Sequence, residues 1–326
     1  MAYTLADYAR VAADNKLKSG VIDIIRVTSP LLDAMSFETT GALSVELNRT
    51  KTLPTVYSRK IGGTFTASKG VTEPLTERMF NFGGYVDIDK VLIKAKAIVD
   101  QRTLQTTMFT KAMTLFFHNA FINGTPSADY DSLIGLWWRL VNDMPASQSI
   151  SAASIDISPD SAALAAAQLS LLQYIDQLCE VVGSPGMPDF LFMNATTKRR
   201  LSAAIKAQGL LKTTEDAFGR TFETYGPGGP KIVDMGVTDP LDLTTTIITD
   251  VELANGTALT GATFTSIYAV KLGGEYLNGW DEYPLDVNDI GLMEDGLTYR
   301  IMLDWTPGIY MTSPFSIGRI YGIQAA

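Results

Sequence analysis

Cysteine and histidine are nearly absent from this chain, which has one of each, Cys179 and His118, among 326 residues. A single cysteine excludes an internal disulfide framework, and one histidine with one cysteine cannot build a typical structural zinc site. A Ser-His-Asp mechanism would depend on His118 alone, and no G-x-S-x-G sequence accompanies it. His118 lies between Phe117 and Asn119 in a predicted helix. We therefore expect it to make a structural contact between helices.

Long apolar runs are also missing. The most apolar stretch, residues 162–172, is short and rich in Ala, and Gln168 and Ser170 interrupt it, so no membrane-spanning helix and no membrane partner are predicted. The first 16 residues mix charged and small polar side chains without the apolar region of a signal peptide, so we expect a cytoplasmic chain. Apolar residues nevertheless make up 46% of the sequence, which suffices for a hydrophobic core.

Sequence motifs for catalysis or metal binding are equally scarce. The segment GTFTASK (63–69) lacks the second glycine and the Lys-Ser/Thr ending of a phosphate-binding loop. Adjacent carboxylates occur without the spacing of a calcium loop, and solvated turns explain them better than a paired-carboxylate site. These pairs are Asp129/Asp131, Asp281/Glu282, Asp286/Asp289 and Glu294/Asp295. We predict no cofactor, no metal and no enzymatic activity.

The distribution of charge is uneven. The chain has a net charge of −9, which disfavours a protein that wraps nucleic acid with most of its surface. Residues 35–80 carry six basic and four acidic side chains, whereas residues 124–326 carry 11 basic and 24 acidic ones. A basic segment attached to an acidic body is typical of a chain that lies across a neighbouring copy of itself, although ordinary surface solvation remains an alternative explanation.

A long helix is predicted over residues 100–122, where neither Gly nor Pro interrupts the sequence and Asn123-Gly124 supplies a helix end. Two apolar ridges with helical spacing predict that it is covered along most of its length. The first ridge consists of Leu104, Met108, Ala112 and Leu115, and the second of Phe109, Met113, Phe116 and Ala120.

An extended segment precedes this helix. Residues 36–76 are rich in β-branched residues and turn signals but contain few large apolar residues, so they cannot fold alone. They are predicted to be disordered or to form a hairpin arm that a partner holds, and the basic and polar alternation favours the arm. A strand is predicted over residues 84–89, between this arm and the helix.

The remaining elements predict an α+β body. A short helix is expected from Thr4 to about Leu17, before Gly20, and a second one over residues 21–26. Residues 146–158 are predicted to be a polar connector, Ser158-Pro159 to open a helix that ends near Val182, and residues 188–193 to form a buried strand. Asn194 is expected to cap the next helix, and residues 210–230 to form a loop. Further strands are predicted over residues 244–249, 266–272, 298–304 and 308–322.

Taken in order, these segments resemble a tailed-phage major capsid protein of the HK97-like fold. The residues that carry the resemblance are KSGVIDIIRVTSPLLDAMSF (18–37), KTLPTVYSRKIGG with ASKGVTEPLTERM, GGYVDIDKVLIKAK, FFHNAFINGTP, PDFLFMNATTKRRLSAA and GIYMTSPFSIGRIYGI. Each motif is degenerate, and the specificity lies in their order over nearly the whole chain.

The resemblance implies an N-terminal arm (1–34), an extended β-hairpin or E-loop (35–80), a P-domain (81–150) with a spine helix (100–122), an A-domain (151–290) and closing strands (291–326) that return to the P-domain. It also implies that the basic side chains of the E-loop make subunit contacts. These are Arg49, Lys51, Arg59, Lys60 and Lys69.

The family further implies a structural protein that assembles into hexamers and pentamers of an icosahedral virion capsid, in the host cytoplasm, around non-specifically contacted double-stranded DNA. A portal is an implied partner, and decoration proteins are left open. Because the arm pattern starts almost at Met1, we expect a separate scaffolding protein. Two alternatives stay open: an encapsulin-like shell around protein cargo, and a soluble α+β hydrolase that uses carboxylates among residues 281–289.

Overall fold

The computed structural model describes residues 2–11, 15–94, 101–127, 129, 131–161, 163–183, 186–209, 211–215, 219–239, 242–248 and 264–325. Several predicted segments include residues outside this part, namely 12–14 of the first helix, 100 of the long helix, 162 of the helix after Pro159, 210 and 216–218 of the loop, and 249 of a strand. The helices are α1 (Leu5–Val11), α2 (Lys16–Thr28), α3 (Pro30–Ala34), α4 (Lys90–Lys94), α5 (Gln101–Asn123), α6 (Leu136–Asn142), α7 (Leu164–Val181) and α8 (Ala195–Ala207).

The strands are β1 (Ala2–Thr4), β2 (Ser36–Thr39), β3 (Ser44–Thr52), β4 (Val71–Arg78), β5 (Phe82–Asp89), β6 (Ser149–Asp156), β7 (Phe190–Met193), β8 (Leu211–Glu215), β9 (Thr221–Tyr225), β10 (Lys231–Asp234), β11 (Val237–Asp239), β12 (Asp242–Thr246), β13 (Phe264–Val270), β14 (Leu277–Asp281), β15 (Asp286–Leu292), β16 (Thr298–Trp305), β17 (Pro307–Met311) and β18 (Ile317–Gln324). The largest sheet has the order β6-β18-β13-β7-β10-β9-β8. Smaller sheets have the orders β1-β2-β14-β17 and β15-β16-β5, and β11-β12 and β3-β4 form separate pairs.

Two hydrophobic cores hold these elements together. In the first, aromatic side chains of α5 pack against β5 and β16, with the rings of Phe117 and Trp305 5.7 Å apart. In the second, α7 and α8 cover the largest sheet, and Leu178, Leu191 and Ile320 are fully buried there. Burial of large apolar side chains stabilises each by about 1.5–3 kcal/mol, so these cores hold the body as a folded unit.

The long helix α5 is present, but its buried face differs from the predicted one. Leu104, Met108 and Phe116 of the predicted ridges are exposed, whereas Thr106, Thr110 and other residues of a neighbouring face are buried. The Thr110 hydroxyl donates to the Thr106 carbonyl at 2.7 Å, one turn back, and Thr106 and Thr114 repeat this pattern. Because the helix itself satisfies these hydroxyls, threonine packs there as a small apolar residue. The prediction that the two apolar ridges are covered along most of the helix was wrong.

The prediction for the N-terminal helices was also wrong. Helix α1 ends at Val11, and α2 continues through Gly20, which was expected to lie after a helix. Asn15 caps α2 by accepting from the Lys18 N–H at 3.2 Å. Glycine costs about 1 kcal/mol within a helix, but burial of Val21, Ile22 and Ile25 more than offsets this cost.

Four other local predictions need correction. The connector at residues 146–158 contains β6, which pairs in parallel with β18. The strand is polar in sequence, and positive φ angles at Ala153 and Ser154 make it irregular. The helix expected from Pro159 starts only at Leu164, because residues 158–160 form a turn in which the Asp156 carboxylate accepts from the Ser158 N–H.

The loop expected over residues 210–230 contains the hairpin β8–β9, whose Thr-rich strands pair with each other and, through β9, with β10. The closing segment is divided between two sheets, since β17 pairs with β14 and β18 pairs with β13 and β6. In contrast, the strand at residues 188–193 and the Asn194 cap are confirmed, and Asn194 accepts from the Thr197 N–H at 2.8 Å.

The predicted arm at residues 36–76 is a hairpin from residue 44 onward, whereas its first residues form β2, which pairs with β1 and β14 in the body. Strands β3 and β4 pair with each other in antiparallel register, from Ser44 opposite Arg78 to Thr52 opposite Val71, and they join no other sheet in the described part of the chain. The loop between them, residues 53–70, forms the far end of the hairpin.

Candidate assembly surface

The far end of the hairpin is an uncovered apolar surface, which we call the hairpin tip (residues 53–70). Residues 51–69 are all exposed, so none of the described residues of their own chain covers them. Val56 is 93% exposed, Leu53 is 80% exposed and Ile61 is fully exposed. Tyr57 and Phe65 add two partly uncovered rings. Contiguous exposed apolar groups of this kind mark interaction surfaces in soluble proteins.

The hairpin tip is ordered by its own hydrogen bonds. The Gly63 N–H donates to the Lys60 carbonyl at 2.9 Å, and Gly62 has a φ of +86°, which favours glycine at this turn. The Arg59 guanidinium donates to the Gly63 carbonyl at 3.0 Å and lies 5.1 Å from the centre of the Phe65 ring. These contacts preorganise the tip, and preorganisation reduces the entropic cost of binding.

The five basic side chains predicted as subunit contacts fall into two groups. Arg49 and Lys51 meet at Glu73, at 3.4 and 3.6 Å, in the half of the paired strands that lies nearer the tip. Arg49 is buried there. Arg59, Lys60 and Lys69 are exposed in the hairpin tip. The structure therefore places three of the five cations beside the uncovered apolar side chains.

The sequence analysis missed the ion pair at the base of the hairpin. The Glu77 carboxylate of β4 accepts from both terminal nitrogens of Arg139 in α6, with Nη2 and Oε2 2.6 Å apart. Both side chains are only 1% exposed. A signal was available in the sequence, because Glu77 occupies the same side of the strand as Leu75, where alternation would place an apolar residue.

A second uncovered apolar surface lies along α5. The exposed side chains Leu104, Met108 and Phe116 belong to its outer face. A cavity of about 690 Å³ lies between α5 and β5, and its lining includes Phe116 and the exposed Tyr85. The body thus offers apolar area outside the hairpin as well.

An acidic surface lies at the end of the β15–β16 hairpin. Asp87 forms a bidentate ion pair with Arg300 at 2.7 Å, and this contact lowers the pKa of the Asp87 carboxyl. Asp295 accepts from the backbone N–H groups of residues 297 and 298, and these bonds lower its pKa as well. Glu294, Ile290 and other exposed residues surround them. This surface stays negatively charged well below neutral pH.

His118 joins three parts of the chain. Its Nε2 lies 2.7 Å from the Ser29 hydroxyl at the start of α3, and its Nδ1 lies 3.2 Å from the Met235 carbonyl. Because a carbonyl can only accept, Nδ1 carries the proton and Nε2 accepts from Ser29. Burial lowers the pKa of His118 to about 4, so the ring is neutral at physiological pH. This geometry is that of the structural contact predicted from the sequence.

The candidate carboxylates do not converge. Asp281 accepts from the Thr39 hydroxyl at 2.8 Å, Asp286 pairs with Lys18 at 3.6 Å, and Asp289 pairs with Arg102. Within the described ranges, no group of three or more His, Cys, Asp or Glu side chains is arranged to hold a metal ion. Cys179 is buried, which raises its pKa to about 12 and keeps the thiol protonated.

Residues 13–156 match the family model described as "Major capsid protein GP7". The match covers just under half of the chain. A comparison with curated proteins found no match. None of the helices that the structure describes is both long and apolar enough to cross a membrane.

Solved structures with a similar fold cover most of the chain. The SrpI encapsulin of Synechococcus elongatus has 15% identity and a TM-score of 0.58, and the alignment covers 92% of this chain and 90% of that one. The capsid of a native GTA particle has 12% identity and a TM-score of 0.57, with 92% and 91% covered. A chain from Mycobacterium phage Bobi has 13% identity and a TM-score of 0.53, with 89% of each chain covered.

These matches confirm the resemblance to tailed-phage major capsid proteins and the α+β HK97-like fold. The solved structures are only 12–15% identical to this chain, so their likeness shows the fold.

Proposed function

We propose that this chain is the major capsid protein of a tailed-phage head and that its copies form hexamers and pentamers of an icosahedral shell around double-stranded DNA. The observation that carries the proposal is the hairpin tip, which exposes five large apolar side chains that its own chain leaves uncovered. A monomer with this surface is prone to association, whereas a shell covers it in every subunit.

A second copy of the chain suits the hairpin tip better than nucleic acid does. Residues 51–72 contain four basic side chains and no acidic one, which complements the acidic 124–326 segment. DNA phosphates would pair with Arg59, Lys60 and Lys69 but would leave Leu53, Val56 and the other apolar side chains exposed. Burial against protein stabilises each large apolar side chain by about 1.5–3 kcal/mol, or on the order of 10 kcal/mol for five, before the cost of association is deducted.

In this proposal the shell has three other partners. A separate scaffolding protein guides assembly in the host cytoplasm, a portal occupies one vertex, and packaged DNA is contacted without sequence specificity. Many weak contacts per subunit add up to a stable particle, because contacts within a closed shell are effectively intramolecular. Among the five predicted contact residues, Arg59, Lys60 and Lys69 would face the neighbouring subunit, while Arg49 and Lys51 support the hairpin from within.

Replacement of residues 53–70 by Asn-Gly tests the proposal. The two-residue turn closes an antiparallel hairpin and removes the tip while it leaves the body unchanged. We expect a folded, soluble protein that forms no shells by negative-stain electron microscopy and size-exclusion mass measurement, under conditions in which the unmodified chain does. Intact shells from the shortened chain would refute the role of the tip.

Two control variants separate the contributions of the tip. One replaces Leu53, Val56 and Ile61 by Thr and keeps the cations, and the other replaces Arg59, Lys60 and Lys69 by Gln. If a neighbouring copy is the partner, the first change has the larger effect on assembly. If nucleic acid is the partner, only the second change matters.

The content of the particles distinguishes the alternatives. Nuclease-protected double-stranded DNA inside shells supports the phage reading, whereas co-purified protein cargo supports an encapsulin-like shell. Phage capsids and encapsulin shells have the same fold, so the structure alone does not separate them. A monomer at every salt and protein concentration, together with a hydrolytic activity that is lost when Asp281, Asp286 and Asp289 are changed to Asn, would support the hydrolase instead.

A further inference from the structure

The hairpin meets the body through charged side chains. Alternate residues of β3 and β4 share one face, which is turned toward the body, while most residues of the opposite face are exposed. Among the side chains of β3 and β4 that the structure describes, only Arg49 and Glu77 are buried. An attachment made for stability alone would place apolar residues at these positions.

The Glu77–Arg139 pair holds the base of the hairpin in one orientation. Both carboxylate oxygens of Glu77 are bound by the two terminal nitrogens of the guanidinium, so the two planar groups align. The same guanidinium donates from Nη2 to the Ile309 carbonyl of β17 at 3.3 Å and from Nε to the Ile134 carbonyl at 3.0 Å. The Arg139 guanidinium is therefore held by three partners, Glu77, Ile309 and Ile134, and rotation of β4 would break its bonds to Glu77.

A second contact holds the hairpin further along its length. Arg49 donates from Nη2 to the Asp143 carbonyl at 3.3 Å, at the residue that follows α6, and also to Glu73 at 3.4 Å. Arg49 lies opposite Glu73 in the hairpin and Glu77 lies opposite Val45, so the two contacts are four residues, or about 13 Å, apart along the strands. Two separated contacts fix the angle between the hairpin and α6, whereas a single contact would leave the hairpin free to pivot.

Helix α6 transmits this angle to the body. It packs against α5 and β18, and its Leu136 and Leu140 belong to the same core as Phe117 of α5. Buried ion pairs contribute little to stability compared with apolar residues of similar size, but their geometry is specific.

We propose that Glu77 and Arg139 are positioning residues that set the direction in which the hairpin leaves the body, and thereby the geometry of the shell. This inference rests on the proposed function, since the direction of the hairpin matters only if the tip contacts another subunit. The pair does not need to contribute to the stability of the subunit for this role.

The E77M/R139M double variant separates direction from stability. Spin labels are attached to cysteines introduced at the exposed positions Ser58 and Gln173, and they report the distance between the hairpin tip and α7 in the unassembled subunit. The native Cys179 is buried and is therefore not labelled. We expect unfolding by urea at an unchanged or higher midpoint, a distance distribution at least twofold broader, and particles of mixed size or shape by electron microscopy. A narrow distribution with uniform particles would overturn the inference.

Two further variants control the experiment. E77Q keeps the shape of the side chain and removes its charge, so we expect partial broadening; if the double variant does not fold and E77Q keeps a narrow distribution, the inference is wrong. D87N/R300Q removes another bidentate pair that lies away from the hairpin, and we expect it to leave the distance unchanged.

The distance measurement also separates this inference from the proposed function. If the distribution broadens but the unmodified chain forms no shells with or without a scaffold, the pair positions the hairpin and the capsid proposal fails. If shells form and the double variant assembles them unchanged, the capsid proposal stands and the positioning role fails.

Discussion

Substitution of His118 by Gln should change how the stability of the subunit depends on pH. The imidazole is buried and neutral, with its two nitrogens bound to the Ser29 hydroxyl and the Met235 carbonyl. Glutamine can both donate and accept a hydrogen bond but does not titrate in this range. We expect the variant to assemble as the unmodified chain does, since His118 has no assigned role other than structure.

The magnitude follows from the pKa of His118. It falls from 6.5 to about 4 on folding, mainly because burial disfavours the charged ring. The unfolded chain therefore binds more protons between these pH values, so stability is fully present above about pH 6.5 and is lost as the pH falls toward 4. The pKa of His118 therefore differs by about 2.5 between the unfolded and the folded chain, which corresponds to about 3 kcal/mol of unfolding free energy.

Urea unfolding of both proteins between pH 7.5 and pH 4 measures this effect. At neutral pH the variant should be less stable by about 1–3 kcal/mol, since the hydrogen bonds of the ring are replaced imperfectly. Carboxylates titrate in both proteins, so their effect cancels in the difference. Only the unmodified chain loses about 3 kcal/mol as the pH falls, so the difference between the two proteins should vanish or change sign near pH 4. A constant difference, or a folded variant without function, would refute the reasoning.

Other predictions concern local contacts and assembly. Asn194→Ala should lower the unfolding free energy by about 1–2 kcal/mol, because it removes the cap bond to the Thr197 N–H; an unchanged urea midpoint would contradict this. Gly308→Ala should destabilise by at least about 1–3 kcal/mol, since a Cβ would lie 2.3 Å from Nε1 of Trp280, and a scanning calorimeter would detect the change. Cys179 should react with a thiol reagent only on unfolding, because it is buried and its pKa is raised to about 12; labelling of the native protein within minutes would refute its burial. Light scattering should show weaker assembly as the salt concentration rises, since screening shortens the Debye length from roughly 30 Å at 0.01 M to 3 Å at 1 M; salt-independent assembly would exclude an electrostatic role for the hairpin cations.

Strong local signals in the sequence predicted elements that the structure contains. The uninterrupted run before Asn123 predicted the long helix, and Asn194 predicted the start of α8 because its side chain binds a neighbouring backbone N–H. The extended hairpin was predicted because residues 36–76 contain too little apolar area to fold alone. These signals act within a few residues, so tertiary structure does not change them.

Other segments were misassigned because their partners are distant in the chain. The strand β6 is polar and irregular, and it exists because β18, some 170 residues away, supplies the opposite hydrogen bonds. The hairpin β8–β9 likewise depends on β10. Such pairing is a property of the whole sheet and leaves little trace in the local sequence.

The sequence by itself determined the order of the segments, the long helix, the extended basic hairpin and the acidic body, and these carry the resemblance to capsid proteins. Only the tertiary structure decided which face of α5 is buried, because threonine hydroxyls bonded within the helix allow a polar face to pack inward. It also divided the basic side chains between the tip and the paired strands of the hairpin. The Glu77–Arg139 pair joins residues 62 positions apart, and no local pattern encodes a contact that depends on how two distant elements are brought together.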